Sequence, residues 1–208
     1  MPLWLAADPL VLASGSNARR ALLSAAGIPV EVQAADIDER KLENAAASLG
    51  SNAILGPNVI AGLLAREKAA AVERHHPGRL VLGADQMLAL DGRRFAKPAD
   101  REAARAQLRA LSGRTHELHS AIAFVHNAAV IFEHVEVARL TMRAFSDQFL
   151  DQYLDAAGSA ATQSVGAYQL EGPGIQLFER LEGDYFTILG LPLMAVLEFL
   201  RRRGCLLQ

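Results

Sequence analysis

The chain has 208 residues, of which 51% are hydrophobic and 21% are charged, so it is long enough to bury a substantial core. Its 21 lysines and arginines nearly balance 23 aspartates and glutamates, which leaves a formal net charge of −2. This balance argues against nucleic-acid binding through a broad basic surface, so any anion site must be a local cluster.

Cysteine usage and hydropathy favour a cytoplasmic protein. Cys205 is the single cysteine, so neither a disulfide framework nor a cysteine-based zinc site is expected. No apolar run is long enough to span a membrane. The first residues lack the basic flank of a signal peptide, and Asp8 interrupts their apolar run. We therefore expect no membrane partner.

Strand-like and helix-like stretches alternate along the chain, which predicts a three-layer α/β protein with a mixed sheet. The predicted strands cover about 10–13, 30–33, 80–84, 87–90, 93–95, 116–125, 130–143, 167–170 and 175–178. The predicted helices cover about 19–26, 59–74, 99–111, 147–156 and 192–203. An acidic loop is expected at 36–39, and a loop or weak helix at 44–57.

The first strand runs through small residues into a helix that opens with Arg19 and Arg20. A helix N-terminus presents unpaired backbone N–H groups and a positive dipole end, where anions bind. Ser14 and Ser16 add hydroxyl donors, and an arginine can fork onto phosphate oxygens. This segment predicts a phosphate cradle, although the Walker pattern is absent and solvated arginines are the simpler interpretation.

Two carboxylates lie where ligands bind in open α/β sheets, after the ends of strands. Asp85 follows a buried apolar strand, where an unpaired carboxylate is unfavourable unless a metal, cation or donor satisfies it. Glu39 closes the acidic loop with Asp38, although a run of charges is more often a solvated face. Both residues are therefore candidate metal ligands or bases.

Two lysines complete the cluster of candidates. Lys68 lies among helix formers, where a surface lysine paired to a neighbouring carboxylate is the simpler interpretation. Lys97 follows a hairpin signalled by Asp91-Gly92 and is next to a proline. Four cations with two carboxylates are typical of a nucleoside triphosphate site with Mg²⁺ or Mn²⁺, since the cluster of candidates contains no thiol and the histidines show no metal spacing.

Taken in order, these segments resemble the Maf family of nucleoside triphosphate pyrophosphatases over nearly the whole chain. The matching stretches are LASGSNARRALL (12–23), DIDE (36–39), LAREKA (64–69), LGADQMLALDG (82–92), KP (97–98), LSGRTH (111–116), GAYQLEG (166–172) and EGDYFTILGLPL (182–193). The resemblance implies a single domain over 1–208, with two lobes around a deep cleft across an elongated mixed sheet, related to the inosine triphosphatase fold.

The resemblance also implies metal-dependent hydrolysis between the α and β phosphates, which yields a nucleoside monophosphate and pyrophosphate. Lys68 and Lys97 are expected to act catalytically on the phosphates, and Glu39 and Asp85 to bind metal, with Asp85 as general base. The residues expected to bind substrate are Ser14, Ser16, Arg19, Arg20, Gln86 and Glu171. The expected role is house-cleaning of the nucleotide pool, and the family suggests a homodimer.

Two positions bear on the nucleotide base. Gln86 and Glu171 resemble the branch associated with 7-methyl-GTP, whereas the pyrimidine branch carries threonine and glutamine there. A glutamate can accept hydrogen bonds from the N1 and N2 edge of guanine. Gly83-Ala84-Asp85 and Gly166-Ala167-Tyr168 keep the general family form, so UTP and dTTP stay open.

Two rival functions also stay open. One is a nucleotide-binding regulator of septum formation with little catalysis, against which the intact set of candidate residues argues. The other is an inosine or xanthosine triphosphate pyrophosphatase, whose substrates need a hydrogen-bond donor where Glu171 offers an acceptor.

Overall fold

A computed structural model of the chain describes residues 3–49 and 56–208. Its strands are β1 Leu10–Ala13, β2 Val30–Val32, β3 Val81–Leu90, β4 Arg93–Phe95, β5 Thr115–His126, β6 Ala129–Met142 and β7 Phe178–Glu182. Its helices are α1 Asn17–Ala25, α2 Glu39–Leu49, α3 Pro57–Glu73, α4 Arg101–Leu111, α5 Asp147–Ala157, α6 Tyr185–Ile188 and α7 Leu193–Arg202. None of the described helices is long and apolar enough to cross a bilayer.

The strands form one mixed, open sheet, which confirms the predicted three-layer α/β fold. Their order is β2-β1-β3-β5-β6-β7, and β4 pairs with β3 off this path. β2 and β3 run parallel to β1, whereas β4 is antiparallel to β3 and β7 is antiparallel to β6. The predicted hairpin turn at Asp91-Gly92 is confirmed, since both residues have a positive φ.

The chain divides into two compact units. The first comprises Met1–Gln86, Ser120–Glu136 and Gly190–Gln208. Part of its core packs β1 and β3 against α3, with Val11 and Val81 contacting Ala69 and Val72. These strands are buried along their whole parallel contact, so they consist of apolar and small residues without alternation.

The second unit comprises Met87–His119 and Val137–Leu189. Its core is built mainly from leucines of several elements, among them Leu88, Leu108, Leu140, Leu150 and Leu177. α4 begins with Asp100 as N-cap, whose side chain accepts from the Ala103 N–H, and this moves the helix start two residues past the predicted one. The second unit thus carries its own hydrophobic core.

An exposed ladder of ion pairs joins α4 to α5 within this unit. Its members are Arg101, Arg105 and Arg109 of α4 with Asp147, Asp151 and Asp155 of α5. Arg105 Nε lies 2.7 Å from Asp151 Oδ1, and the hydrogen bond from Arg105 lowers the pKa of Asp151. We refer to this set as the arginine ladder.

The acidic loop is shorter than predicted, because Glu39 is the first residue of α2 rather than a loop residue. Asp38 accepts a hydrogen bond from the Lys41 N–H at 2.9 Å, as an N-cap side chain does, and Glu39 adds negative charge to the first turn. Residues 44–49 are helical, and 50–55 lie outside the described residues.

The strand predicted at 167–170 is wrong, and the one at 175–178 is wrong for all but Phe178. Gly166 and Ala167 have φ values of 81° and 62°, in the left-handed region that no strand adopts. Pro173 opens a 3₁₀ turn, Pro173–Leu177, and strand β7 begins only at Phe178. Apolar runs alone cannot distinguish such turns from short strands.

Candidate active site

Asp85 lies in the middle of β3 and not at its end, so that part of the prediction is wrong. The parallel ladder between β1 and β3 nevertheless stops at the pair Ala13 and Gly83, because β1 ends there while β3 continues toward β4. Asp85 therefore lies just beyond the carboxyl end of β1, level with the loop that starts at Ser14. This is the edge where open α/β sheets bind ligands.

Lys68 of α3 bridges two carboxylates. Its Nζ lies 2.6 Å from Asp85 Oδ1 and 2.8 Å from Glu39 Oε1. The side chains of Lys68 and Asp85 are only 13% and 10% exposed, whereas that of Glu39 is 49% exposed. The interpretation of Lys68 as a surface lysine is wrong, and three predicted residues from three separate elements converge here.

Gly83 explains how helix and strand come close enough for this bridge. A Cβ at Gly83 would lie 2.0 Å from the Ala65 carbonyl oxygen and 2.8 Å from the Ala69 nitrogen. The backbones of β3 and α3 therefore touch, and only glycine fits between them. Lys68 lies one residue before Ala69, so the contact brings its side chain to Asp85.

Burial raises the pKa of the Asp85 carboxyl above its usual range, and the charges of Lys68 and Arg19 oppose this shift. A carboxylate that is withdrawn from water accepts a proton more readily than a solvated one. At the same time, the lysine contact favours the ionised form. Asp85 thus combines the charge and the basicity that a general base needs.

Arg19 is held by the chain itself. Its Nε donates to the Gly190 carbonyl at 2.8 Å, and its Nη1 donates to the Ala84 carbonyl and to Ser14 Oγ, both at 2.9 Å. Burial lowers the pKa of this guanidinium, against the opposing charges of Asp85 and Glu39. Arg19 is therefore built into the site.

The other two residues of the predicted cradle differ from Arg19. Arg20 is exposed, and its guanidinium forms no hydrogen bond or ion pair with any described part of the chain. Ser16 is the N-cap of α1, and its hydroxyl oxygen accepts from the Arg19 N–H. The first turn of α1 thus has a capped start and a free cation beside it.

Gln86 follows Asp85 and donates from Nε2 to Ser120 Oγ of β5 at 3.0 Å. Ser120 is fully buried, and sequence reasoning missed it, although a serine beside the apolar run 121–125 was a detectable signal. Gly190 was missed too. Its φ of 92° places a built Cβ 3.4 Å from Gln86 Oε1 and 3.5 Å from Arg19 Nη2.

Lys97 and Glu171 belong to the second unit. Lys97 follows β4, Glu171 precedes the turn at Pro173, and both are exposed. Their contribution to the site stays a prediction.

Among residues 3–49 and 56–208, no group of three or more histidine, cysteine or carboxylate side chains converges as a metal site. Two carboxylates, Asp85 and Glu39, face the ammonium of Lys68. Mg²⁺ is commonly held by one or two carboxylates together with substrate phosphates and waters. This pair of oxygen ligands therefore fits a magnesium ion that arrives with a phosphorylated substrate.

The model of the family described as "Maf-like protein" matches residues 9–203. The chain belongs to the Maf family. Maf relatives named "Nucleoside triphosphate pyrophosphatase" include one from Rhodopseudomonas palustris strain HaA2, 57% identical over 99% of both chains. Another, from Bradyrhizobium diazoefficiens, is 58% identical over 97% of this chain and 96% of its own. The Maf resemblance and the expectation of a hydrolase are thereby confirmed.

Among solved structures, a dITP/XTP pyrophosphatase from Mycobacterium abscessus aligns over 95% of both chains with 16% identity and a TM-score of 0.38. This backbone similarity is too distant to compare the two sites.

Proposed function

We propose that this Maf protein is a nucleoside triphosphate pyrophosphatase that hydrolyses the bond between the α and β phosphates. The observation that carries the proposal is the bridge of Lys68 between Asp85 and Glu39 at the carboxyl end of β1. Relatives at 52–58% identity that are named nucleoside triphosphate pyrophosphatases support the same activity. The products are a nucleoside monophosphate and pyrophosphate.

The positive groups are proposed to hold the triphosphate. Lys68 is the cation in contact with Asp85, and Arg20 adds a solvated cation beside the first turn of α1. Backbone N–H groups at the start of that helix and the Ser14 hydroxyl are proposed to donate to the same negatively charged triphosphate. Lys97 is retained as a further phosphate ligand from the sequence. These groups neutralise the charge that develops on the departing pyrophosphate.

Asp85 is proposed as the general base. It accepts a proton from a water molecule whose oxygen attacks the α phosphorus, and the bond from that phosphorus to the bridging oxygen of the β phosphate breaks. Pyrophosphate leaves with the bonding electrons. Asp85 and Glu39 would hold Mg²⁺ or Mn²⁺, which when bound makes water more acidic and offsets phosphate charge.

For the nucleobase of the substrate, we propose a preference for guanine nucleotides such as 7-methyl-GTP, with Gln86 and Glu171 as the residues that recognise it. A carboxylate accepts from the N1 and N2 edge of guanine and attracts a methylated, cationic ring. Gln86 is oriented by its hydrogen bond to Ser120, which supports a reading role. The single two-lobed domain, the homodimer and the cytoplasmic location remain predictions.

The experiment is pyrophosphate release from a panel of triphosphates with Mg²⁺ or Mn²⁺. The panel contains GTP, 7-methyl-GTP, UTP, dTTP, ITP and XTP, and chelation of the metal is the control. Fast, metal-dependent release from a guanine nucleotide is expected. Faster release from UTP and dTTP contradicts the base preference, and faster release from ITP and XTP favours the deaminated substrates. Binding without release from any nucleotide contradicts the enzyme and favours a regulator.

A further inference from the structure

Arg19 and Arg20 are consecutive arginines at the start of one helix, yet their surroundings are opposite. The guanidinium of Arg19 donates to three oxygens of the protein, on Gly190, Ala84 and Ser14. The guanidinium of Arg20 is exposed and has no partner within the described ranges 3–49 and 56–208. The two side chains are chemically identical, but one guanidinium is hydrogen-bonded within the protein and the other is not. This difference indicates that the two arginines have different roles.

One of the oxygens that Arg19 holds belongs to the residue next to the general base. Ala84 immediately precedes Asp85, and β1 has already ended, since its last ladder partner on β3 is Gly83. Beyond Gly83, β1 no longer pairs with β3. The hydrogen bond from Arg19 Nη1 to the Ala84 carbonyl therefore holds the β3 backbone where strand pairing with β1 has ended. A strand fixed on the residue before Asp85 holds the carboxylate in a defined direction.

We propose that Arg19 is a positioning residue that fixes the backbone carrying Asp85, and that Arg20 is the arginine that binds the phosphate chain. This division of roles rests on the proposed pyrophosphatase function. Arginine suits the first role because its planar fork donates in several fixed directions at once, whereas lysine is a point charge. Arg20 suits the second role because its donors are available to a ligand.

A substitution at Gly190 offers a second, independent way to disturb the hydrogen bonds of Arg19. Its carbonyl accepts from Arg19 Nε, and its φ of 92° is one that other residues rarely adopt. A Cβ there would also lie 3.5 Å from Arg19 Nη2. Gly190→Ala therefore disturbs the Arg19 contacts without removing a charge from the site.

The experiment compares Arg19→Lys, Gly190→Ala and Arg20→Gln with the wild type. For each protein we measure the thermal midpoint, the Kd for inorganic pyrophosphate in Mg²⁺ buffer, and kcat and KM for the preferred nucleotide. Arg19→Lys and Gly190→Ala are expected to lower kcat by about 100-fold with little change in Kd, since a small misplacement of a catalytic group has effects of that order. Arg20→Gln is expected to weaken pyrophosphate binding by about 10- to 100-fold.

Three outcomes overturn the proposal. The first is weaker pyrophosphate binding in Arg19→Lys to the same degree as in Arg20→Gln. The second is a normal kcat in both Arg19→Lys and Gly190→Ala. The third is pyrophosphate binding that does not depend on Arg20. A wild type that releases no pyrophosphate overturns the proposed function instead, and the two arginines are then still distinguished by their Kd values. If Arg19→Lys does not fold, Gly190→Ala decides the positioning role.

Discussion

The Lys68 bridge and the arginine ladder are built from the same kinds of charge at nearly the same distance. Lys68 Nζ lies 2.6 Å from Asp85 Oδ1 in the first unit, and Arg105 Nε lies 2.7 Å from Asp151 Oδ1 in the second. The side chains of the first pair are 13% and 10% exposed, against 29% and 52% in the second. Distance does not distinguish the pairs, whereas burial does.

The carboxyl pKa values move in opposite directions as a result. For Asp85, desolvation is the largest influence, and it raises the pKa despite two neighbouring cations. For Asp151, the hydrogen bond from Arg105 is the largest influence, and it lowers the pKa. The surroundings of Asp151 in the arginine ladder favour the ionised carboxylate, whereas the burial of Asp85 favours its protonated form. Counting ion pairs would miss this difference.

The largest expected effect is on turnover. Asp85→Asn removes the proposed proton acceptor and one of the two proposed metal ligands, so kcat should fall by about 10²- to 10⁴-fold. Asp151→Asn is the matched control, because it makes the same chemical change in a carboxylate that already pairs with an arginine, and its turnover should stay at the wild-type level. Pyrophosphate release at saturating nucleotide measures both. Equal losses in the two variants would contradict the contrast.

The next effect is on the free energy of unfolding. Lys68→Met leaves the buried Asp85 carboxylate facing a methyl group, which should destabilise the protein by about 3 kcal/mol near neutral pH. Arg105→Met removes an exposed partner and should destabilise it much less. Urea unfolding gives both values. At lower pH the loss in Lys68→Met should shrink, because Asp85 becomes protonated. A loss independent of pH would show that Asp85 is not the group affected.

The opposite pKa shifts predict opposite pH dependences. Because the pKa of Asp85 is raised by folding, its contribution to stability is present below the unfolded pKa and is lost as pH rises through the folded pKa. The pKa of Asp151 is lowered, so its contribution is present above the unfolded pKa and is lost as pH falls. Activity should fall with acid as Asp85 takes up its proton.

Carboxyl carbon NMR titration of the free protein measures both groups directly. The carboxyl of Asp85 should titrate at a higher pH than that of Asp151, and the acid limb of kcat/KM should follow Asp85. Titration of Asp85 at or below the pH of Asp151 would contradict the comparison.

The smallest expected effect is that of salt. Double-mutant cycles should show an Arg105–Asp151 coupling that weakens as NaCl rises from 0.05 to 0.5 M, because dissolved ions screen exposed charges more strongly at higher ionic strength. The Lys68–Asp85 coupling should change little, since water and ions reach it poorly. Equal salt sensitivity would mean that burial does not separate the two pairs.

The sequence predicted, for a physical reason, that Asp85 needs a partner, and the structure shows one. A carboxylate after a buried apolar run needs a partner, and this demand is visible without a structure. The partner itself was not visible: Lys68 stands 17 positions earlier, among ordinary helix formers. The close backbone contact at Gly83 brings α3 near enough to β3 for this pair to form. A tertiary contact of this kind leaves no local pattern in the sequence.

The same limit applies to the cradle. The strand, the serines and the arginine pair predicted an anion site, and the helix begins at Asn17, two residues before the predicted start. Whether each arginine faces the chain or the solvent depends on Ala84 and Gly190, whose carbonyls are generic in sequence. For Glu39 the error was local, because Asp38 in the run Asp36-Ile37-Asp38-Glu39 is an N-cap signal in its own right.

Gly83 limits how freely this protein can be re-engineered. A library that aims at another nucleotide can include Gly15, where an added Cβ would meet, among the described residues, Ala34 Cβ alone, at 3.9 Å. At Gly83 any substitution collides with the backbone of α3, and the clash cannot be relieved by a change of rotamer. Laboratory evolution can therefore change the loops around the site, whereas active variants are expected to keep glycine at position 83 and with it the close packing that brings Lys68 to Asp85.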